Sequence, residues 1–333
     1  MPRINKRLIY FAIAILLLLF LVFEFSVRTS WSIPGRSYPS GMHIPDEDAG
    51  YLLTPGFEGE FPNGVPVRIN SKGLRDNEYS YEKPGDKFRI LVIGDTITFG
   101  PGISHEDLFS EILERRLNEN YNVEVINAAV NGHEIESVKA VYISEGVKYN
   151  PDLVIYSAAL NDILRTDFEN IKNNFAEFND STGSPPDTPL EAAVKEVCNS
   201  CVFTYSITRG IILDEGVGDE GYNEYIFELW RTEEYHENFK ENFFEIAESL
   251  GDAEFVVIVY PYDTQLSGTE ENSPQEILKE IAEEANATFI DASGSFEEDH
   301  YLEKSGGRVI NEKGHEAAAD ILYNYIREKY LFK

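Results

Sequence analysis

Basic residues are scarce in this chain of 333 residues, which carries 28 lysines and arginines against 59 aspartates and glutamates. The formal net charge is -31 at pH 7, and a surface this acidic repels the phosphates of nucleic acids. We therefore expect no nucleic-acid partner. A high-salt medium, cation-rich surroundings or simple solubility would each explain the charge, and the sequence leaves these alternatives open.

Cysteine is nearly absent, because Cys198 and Cys201 are the only two and form a single C-x-x-C pair. One such pair supplies half of a four-ligand zinc site, and outside the cytoplasm it can close a small disulfide loop. We expect a structural role for it, since no strand–helix context marks it as a redox site. The chain also lacks a phosphate-binding G-x-x-x-x-G-K-S/T segment, and we predict no cofactor and no metal site.

One long apolar run stands near the N-terminus, where residues 8–23 carry no charge and follow Arg3, Lys6 and Arg7. A helix rising ~1.5 Å per residue needs about 20 residues to cross the hydrocarbon of a lipid bilayer. We predict that residues 1–28 form an uncleaved anchor of a single-pass cell-membrane protein, with an extracytoplasmic C-terminal domain. A cleaved signal peptide is the alternative, although no small-residue cleavage pattern follows the run.

Residues 88–333 alternate between apolar strand patterns and amphipathic helix patterns, whereas residues 29–87 are predicted to form a linker and a small β element. The predicted strands cover residues 88–94, 123–129, 152–158, 254–260 and 288–291, and the predicted helices cover 106–118, 135–148, 235–250, 274–286 and 312–329. This alternation predicts the α/β class, with a mostly parallel five-stranded sheet that is covered on both faces.

An insertion interrupts this alternation at about residues 164–250 and is too long for a plain connection. We expect it to form a cap beside the site. Trp230 and Tyr235, which lie in the insertion, could line a groove for a sugar, although packing in the core or cap is the commoner role of such side chains.

Four short polar motifs stand where the predicted strands end or where the last helix begins. They are Gly94-Asp95-Thr96, Asn131-Gly132-His133, Asn161-Asp162 and the segment from Asn311 to His315. Each motif alone is a common turn or helix cap. Sites in parallel sheets form at the carboxyl ends of the strands, so the ordered set predicts that these side chains meet.

The ordered set resembles the GDSL-type, or SGNH, hydrolase family over residues 87–329, apart from the insertion. The resemblance implies a flavodoxin-like three-layer α/β/α sandwich. It places Thr96 at the position of the nucleophilic serine, next to Asp95, and implies an oxyanion hole made by the Thr96 N–H, Gly132 and Asn161. Residues 68–76 resemble the segment that precedes the first strand in membrane-linked members.

Two departures from the family pattern concern the catalytic groups. Thr96 carries a methyl group that crowds attack and restricts the rotamer of the hydroxyl. The positions of the family's D-x-x-H residues hold Gly306 and Val309, and valine cannot accept a proton. His300 and His315 are the alternative bases, although the resemblance gives His315 a structural role.

These residues predict a membrane-anchored, outward-facing hydrolase that acts on a small ester or on the acyl groups of a surface glycan, by deacylation or acyl transfer. Weak activity is expected, because Thr96 and Val309 replace the serine and histidine. Two alternatives stay open. One is a non-catalytic module that binds a surface glycan, and the other is a structural surface protein whose acidic face binds cations.

Overall fold

The computed structural model describes residues 38–166, 168, 171, 219–268, 273–302 and 308–331. Residues 43–68 form two antiparallel hairpins. Their strands are β1 (His43–Asp46), β2 (Gly50–Leu53), β3 (Glu58–Glu60) and β4 (Pro66–Arg68). Buried side chains of the hairpins pack against Phe99, Ala129 and Val130, so this N-terminal element shares a core with the domain that follows.

The domain that follows is built on a parallel sheet of five strands. The strands are β5 (Phe88–Gly94), β6 (Val123–Asn127), β7 (Leu153–Ala158), β8 (Glu254–Val259) and β9 (Thr288–Asp291). Their order across the sheet is β6-β5-β7-β8-β9, and every neighbouring pair is parallel. This flavodoxin-like order confirms the predicted parallel sheet. The chain proceeds from β5 to one edge of the sheet and then, from β7, to the other edge, and sites in such folds form at this switch point between β5 and β7.

Helices cover both faces of the sheet. They are α1 (Thr96–Phe99), α2 (Phe109–Leu117), α3 (Ile135–Ser144), α4 (Asp219–Arg231), α5 (Glu233–Glu248), α6 (Asp263–Leu266), α7 (Ser273–Glu284) and α8 (Glu312–Ile326). Successive side chains of a strand point to opposite faces, so Ile90 and Val92 pack with α2 and α8. Leu91 and Ile93 pack with α3, α4, α5 and α7. The result is a three-layer sandwich.

Helix α2 begins later than its sequence pattern predicts. The expected helix started at residue 106, whereas α2 starts at Phe109 after a separate 3₁₀ turn at His105–Asp107. Leu108, which joins the two, has an extended backbone with φ -65° and ψ 140°. One continuous helix and a 3₁₀ turn followed by α2 have the same spacing of apolar residues, so the sequence pattern could not reveal the extended residue between them.

The described part of the insertion packs on the sheet as α4 and α5. Trp230 is 1% exposed, and its indole N–H donates to the Leu160 carbonyl at 2.8 Å. Tyr235 packs against the same core cluster. Trp230 is therefore a core residue, which agrees with the favoured prediction of core or cap packing and not with a sugar groove.

Several predicted features lie outside the described residues: the anchor at 1–28, Cys198 and Cys201, and Gly306. Within the ranges that the structure does describe, no helix combines the length and apolar character needed to span a bilayer.

Candidate active site

The turn after β5 brings Thr96 to the carboxyl edge of the sheet. Asp95 caps α1, because its carboxylate accepts a hydrogen bond from the Ile97 N–H at 3.0 Å. Gly94 permits the turn, since a Cβ at this position would lie 2.6 Å from the Ser157 carbonyl oxygen on the neighbouring strand. Thr96 is thereby the first residue of α1, and its side chain stays partly exposed.

Gly132 meets Thr96 from the loop after β6. The Gly132 N–H donates a hydrogen bond to Thr96 Oγ1 at 2.9 Å. Gly132 has φ 72°, and a Cβ there would lie 2.8 Å from the Tyr51 hydroxyl. A glycine is needed here both for the left-handed backbone and for the close approach of the N-terminal element.

Asn161 joins the same group from the end of β7, where a 3₁₀ turn spans Leu160–Ile163. Its side chain hydrogen-bonds the Asp95 carboxylate, which is 2% exposed. Burial raises the pKa of Asp95 to about 6, although this bond and backbone N–H groups act to lower it. The structure thus assembles Asp95, Thr96, Gly132 and Asn161 from three strand ends.

The two histidines named as alternative bases make their hydrogen bonds elsewhere. His315 Nδ1 accepts from the Phe109 N–H at 3.1 Å, and burial lowers the pKa of His315 to about 3. His300 Nδ1 accepts from the Glu297 N–H at 3.2 Å. Among the described residues, neither ring is hydrogen-bonded to Thr96. His315 therefore stands as a neutral, buried group that fixes the start of α2.

Arg75 stabilises the segment that follows Thr96. Its guanidinium is 1% exposed and donates to the carbonyls of Phe99, Gly100 and Ile103, which follow Thr96 in the chain. It also lies 5.1 Å from the ring centroids of Phe61 and Phe99. Burial lowers the pKa of Arg75 to about 10, so the group stays charged at neutral pH. One buried cation thus holds the carboxyl end of α1.

Tyr38 reaches the site from the N-terminal element, in a stretch where the sequence predicts only a linker. Its side chain forms hydrogen bonds with the side chains of Thr96 and Asn131, and burial raises the pKa of Tyr38 to about 12. The phenol is therefore neutral at physiological pH and can act as a donor. Edge contacts with His43 and Phe99, at centroid distances of 5.7 and 6.2 Å, fix the ring.

A family model for GDSL-like lipases and acylhydrolases matches residues 92–317, about two thirds of the sequence. The chain belongs to the GDSL-like lipase/acylhydrolase family. The matched range contains Asp95, Thr96, Gly132 and Asn161, and ends within α8. No curated protein matches the sequence.

Solved structures similar to this family member include TesA, at 13% identity and a TM-score of 0.43, with 72% of this chain and 98% of that chain covered. A lipase/acylhydrolase from Enterococcus faecalis has 15% identity and a TM-score of 0.43, covering 73% and 96% of the two chains. Axe2, an acetylxylan esterase from Geobacillus stearothermophilus, has 15% identity and a TM-score of 0.41, covering 75% and 96%.

Two further carboxyl groups of this GDSL-like chain lie in the electrostatic field of Asp95. Asp162 is fully buried and accepts from the Tyr156 hydroxyl at 2.6 Å and the Ala159 N–H at 3.1 Å. Burial and the Asp95 charge raise the pKa of Asp162 well above its usual range. Its hydrogen bonds fix the turn that carries Asn161, which makes Asp162 a positioning residue.

Glu134 is the other carboxyl group, two residues after Gly132. Burial raises the pKa of Glu134 to about 7, and the Asp95 charge contributes to this increase. The Thr166 hydroxyl donates to Glu134 Oε2 at 3.1 Å. A carboxylate that titrates near neutral pH is suited to general-base work, and no sequence motif distinguished Glu134 from other loop acids.

Proposed function

We propose that the chain is a carboxylic ester hydrolase with Thr96 as its nucleophile and with low turnover. The observation that carries this proposal is the 2.9 Å hydrogen bond between the Gly132 N–H and Thr96 Oγ1. It places a backbone N–H donor beside the hydroxyl of Thr96, the residue at the family's nucleophile position. One such donor can stabilise the oxyanion of an acyl transition state by ~3–4 kcal/mol.

In the proposed reaction, Thr96 Oγ1 forms a bond to the acyl carbon while the carbonyl electron pair moves to its oxygen. The Gly132 N–H and the Asn161 amide hold that oxygen. Collapse of the intermediate expels the alcohol and leaves an acyl-threonine, which water hydrolyses to a carboxylic acid and free Thr96. Glu134 is our candidate to take the Thr96 proton and return it to the leaving alcohol.

Low turnover follows from the groups around the hydroxyl. His300 and His315 make their hydrogen bonds elsewhere, so neither serves Thr96 as the base that family members use. The oxyanion donors and substrate positioning still give ~10³–10⁴-fold acceleration over water when a catalytic triad is lost. The same observation supports a second candidate, a binding module that retains the pocket without the chemistry.

Thr96→Ala should lower the rate of aryl acetate hydrolysis by the purified full-length chain at least ~10-fold, because it removes the nucleophile. Thr98→Val is the matched control. It deletes the neighbouring buried hydroxyl, which has no hydrogen-bond partner within the described part of the chain, and should keep the native rate. Equal rates for native protein and Thr96→Ala would exclude Thr96 as nucleophile, and a native rate indistinguishable from buffer would favour the binding module.

We further propose that residues 8–27 anchor the chain in the cell membrane and that the site faces outward, toward acylated surface glycans. The proposal is supported by the uncharged run that follows Arg3, Lys6 and Arg7. Alkaline carbonate washing of membranes should leave the full-length chain in the pellet, and a variant without residues 1–28 should appear in the supernatant. Release of the full-length chain by carbonate would refute the anchor.

A further inference from the structure

Three side chains with metal-ligating atoms converge away from Thr96. Asp76 precedes β5, His105 lies in the 3₁₀ turn before α2, and Glu111 is on α2. One ligand atom of each lies within 4.8 Å of the others. His105 Nε2 lies 3.6 Å from Glu111 Oε1, and the Asp76 and Glu111 side chains are hydrogen-bonded to each other. The cluster therefore combines one imidazole nitrogen with two carboxylates from three separate segments.

Asp76 carries no compensating cation in this cluster. It is 7% exposed, and its two oxygens accept backbone N–H bonds from Asn77 at 2.7 Å and Asn127 at 2.6 Å. No ion pair of the described residues involves Asp76, and Glu111 lies beside it. The Asp76 and Glu111 side chains are hydrogen-bonded to each other, which requires one proton between the two carboxyl groups. A divalent cation could replace that proton and join the two carboxylates.

His105 presents its Nε2 atom to the cluster from a partly buried side chain. Burial lowers its pKa, and the charges of Arg68 and Arg75 act in the same direction, against those of Glu111 and Glu106. Metal binding requires a neutral imidazole, since the ring must offer a lone pair.

We propose that Asp76, His105 and Glu111 bind one divalent transition-metal ion of the zinc class. Zinc accepts both imidazole nitrogen and carboxylate oxygen as ligands, whereas Mg²⁺ and Ca²⁺ prefer oxygen ligands alone. Ligands about 2.0–2.2 Å from a tetrahedral ion stand about 3.4 Å apart, so the pair at 3.6 Å already fits, and all three ligand atoms lie within 4.8 Å of one another.

An open cavity gives solvent access to two of the three side chains. A cavity of about 470 Å³ reaches Asp76 and His105 and is also lined by Ser104, Arg68 and Glu106. The two carboxylates neutralise the charge of the ion. The site therefore has an entry path and a place for a water ligand, as three-ligand zinc sites require.

The ion would act as a structural link rather than as a catalyst. Asp76 follows Arg75, which holds the carbonyls after Thr96, and its carboxylate also binds the N–H of Asn127 at the end of β6. Joining Asp76 to α2 through Glu111 would fix the segment before β5 against the domain. We expect metal to raise stability without being required for ester hydrolysis.

The test uses the untagged full-length chain, purified in mild detergent, stripped with EDTA and then given Zn²⁺, Co²⁺ or Mg²⁺. We expect one Zn²⁺ per chain by elemental mass spectrometry, a higher unfolding temperature with Zn²⁺ than with Mg²⁺, and the visible absorption of tetrahedral Co²⁺. His105→Ala and Glu111→Gln should each weaken Zn²⁺ binding by about 100-fold and abolish the Co²⁺ absorption. Asp76 is left intact, because its carboxylate also holds two backbone groups.

Two control variants separate this site from other acidic groups. Glu106→Gln changes a carboxylate of the same cavity that is outside the ligand cluster, and His300→Ala disrupts the second cluster, which comprises Glu297, Asp299 and His300. Both should bind Zn²⁺ as the native chain does. Absence of bound Zn²⁺ in the native chain would overturn the proposal, as would native affinity in both His105→Ala and Glu111→Gln. Loss of binding in His300→Ala alone would assign the ion to the other cluster.

Discussion

The double variant Thr96→Ser, Val309→His should hydrolyse an aryl acetate at least about 100-fold faster than the native chain. A serine hydroxyl lacks the methyl group that crowds attack, and a histidine at position 309 would supply the base found at this place in the family. General-base catalysis contributes about 10²–10⁴-fold. Steady-state rates of the purified full-length proteins at pH 8 measure the effect.

The two single variants test whether the new groups act together. A nucleophile and its base are strongly non-additive, so each single change should give a small part of the gain. Thr96→Ser with Val309→Gln is the matched control, because glutamine is polar and similar in size but cannot act as a base. A double variant no faster than Thr96→Ser alone would show that position 309 does not serve Thr96.

The sheet could be predicted closely because its strands are buried on both faces. The apolar runs of β5 and β9 have the bounds that their sequence predicts, residues 88–94 and 288–291. Such runs carry their own signal, and flanking glycines or polar residues mark their ends. The start of α2 was missed because Leu108 contributes to the apolar spacing in either an extended or a helical conformation.

The site residues that follow the strand ends could be predicted from the sequence, whereas the residue contributed by the N-terminal element could not. Thr96, Gly132 and Asn161 stand at fixed places after β5, β6 and β7, so the parallel topology alone brings them together. Tyr38 reaches Thr96 through a tertiary contact across more than fifty residues, for which no local pattern exists. The pKa of Glu134 likewise depends on burial, which a loop sequence does not encode.

The segment of residues 68–76, before β5, also makes tertiary contacts that its sequence does not predict. Residues 68–76 resemble the lead-in segment of membrane-linked family members, but nothing in their sequence predicts which groups the Arg75 guanidinium contacts. The structure shows that the Asn70 amide organises the turn, since its oxygen accepts from Lys72 N–H at 2.9 Å and Leu74 N–H at 3.0 Å. This turn directs Arg75 inward, where it contacts the end of α1. The segment is therefore part of the support of the active site.

Arg75→Met should lower the free energy of unfolding by about 3 kcal/mol or more, a large fraction of the stability of an ordinary domain. Methionine keeps the contact with the rings of Phe61 and Phe99 but leaves the buried carbonyls of Phe99 and Ile103 without the guanidinium donors. Each buried group that loses its partner costs about 1–3 kcal/mol. Urea unfolding of the full-length chain, followed by tryptophan fluorescence, measures the change.

Arg68→Met is the control for Arg75→Met, because Arg68 lines the neighbouring cavity but is exposed, and its loss should cost less than about 0.5 kcal/mol. Arg75→Lys should fall between the two, since an ammonium keeps the charge but lacks the planar fork that reaches several carbonyls at once. Aryl acetate hydrolysis should fall in the same order, because the carbonyls that Arg75 holds belong to the turn that carries Thr96. Equal stability of the Arg75→Met and Arg68→Met chains would show that the buried guanidinium does not support this turn.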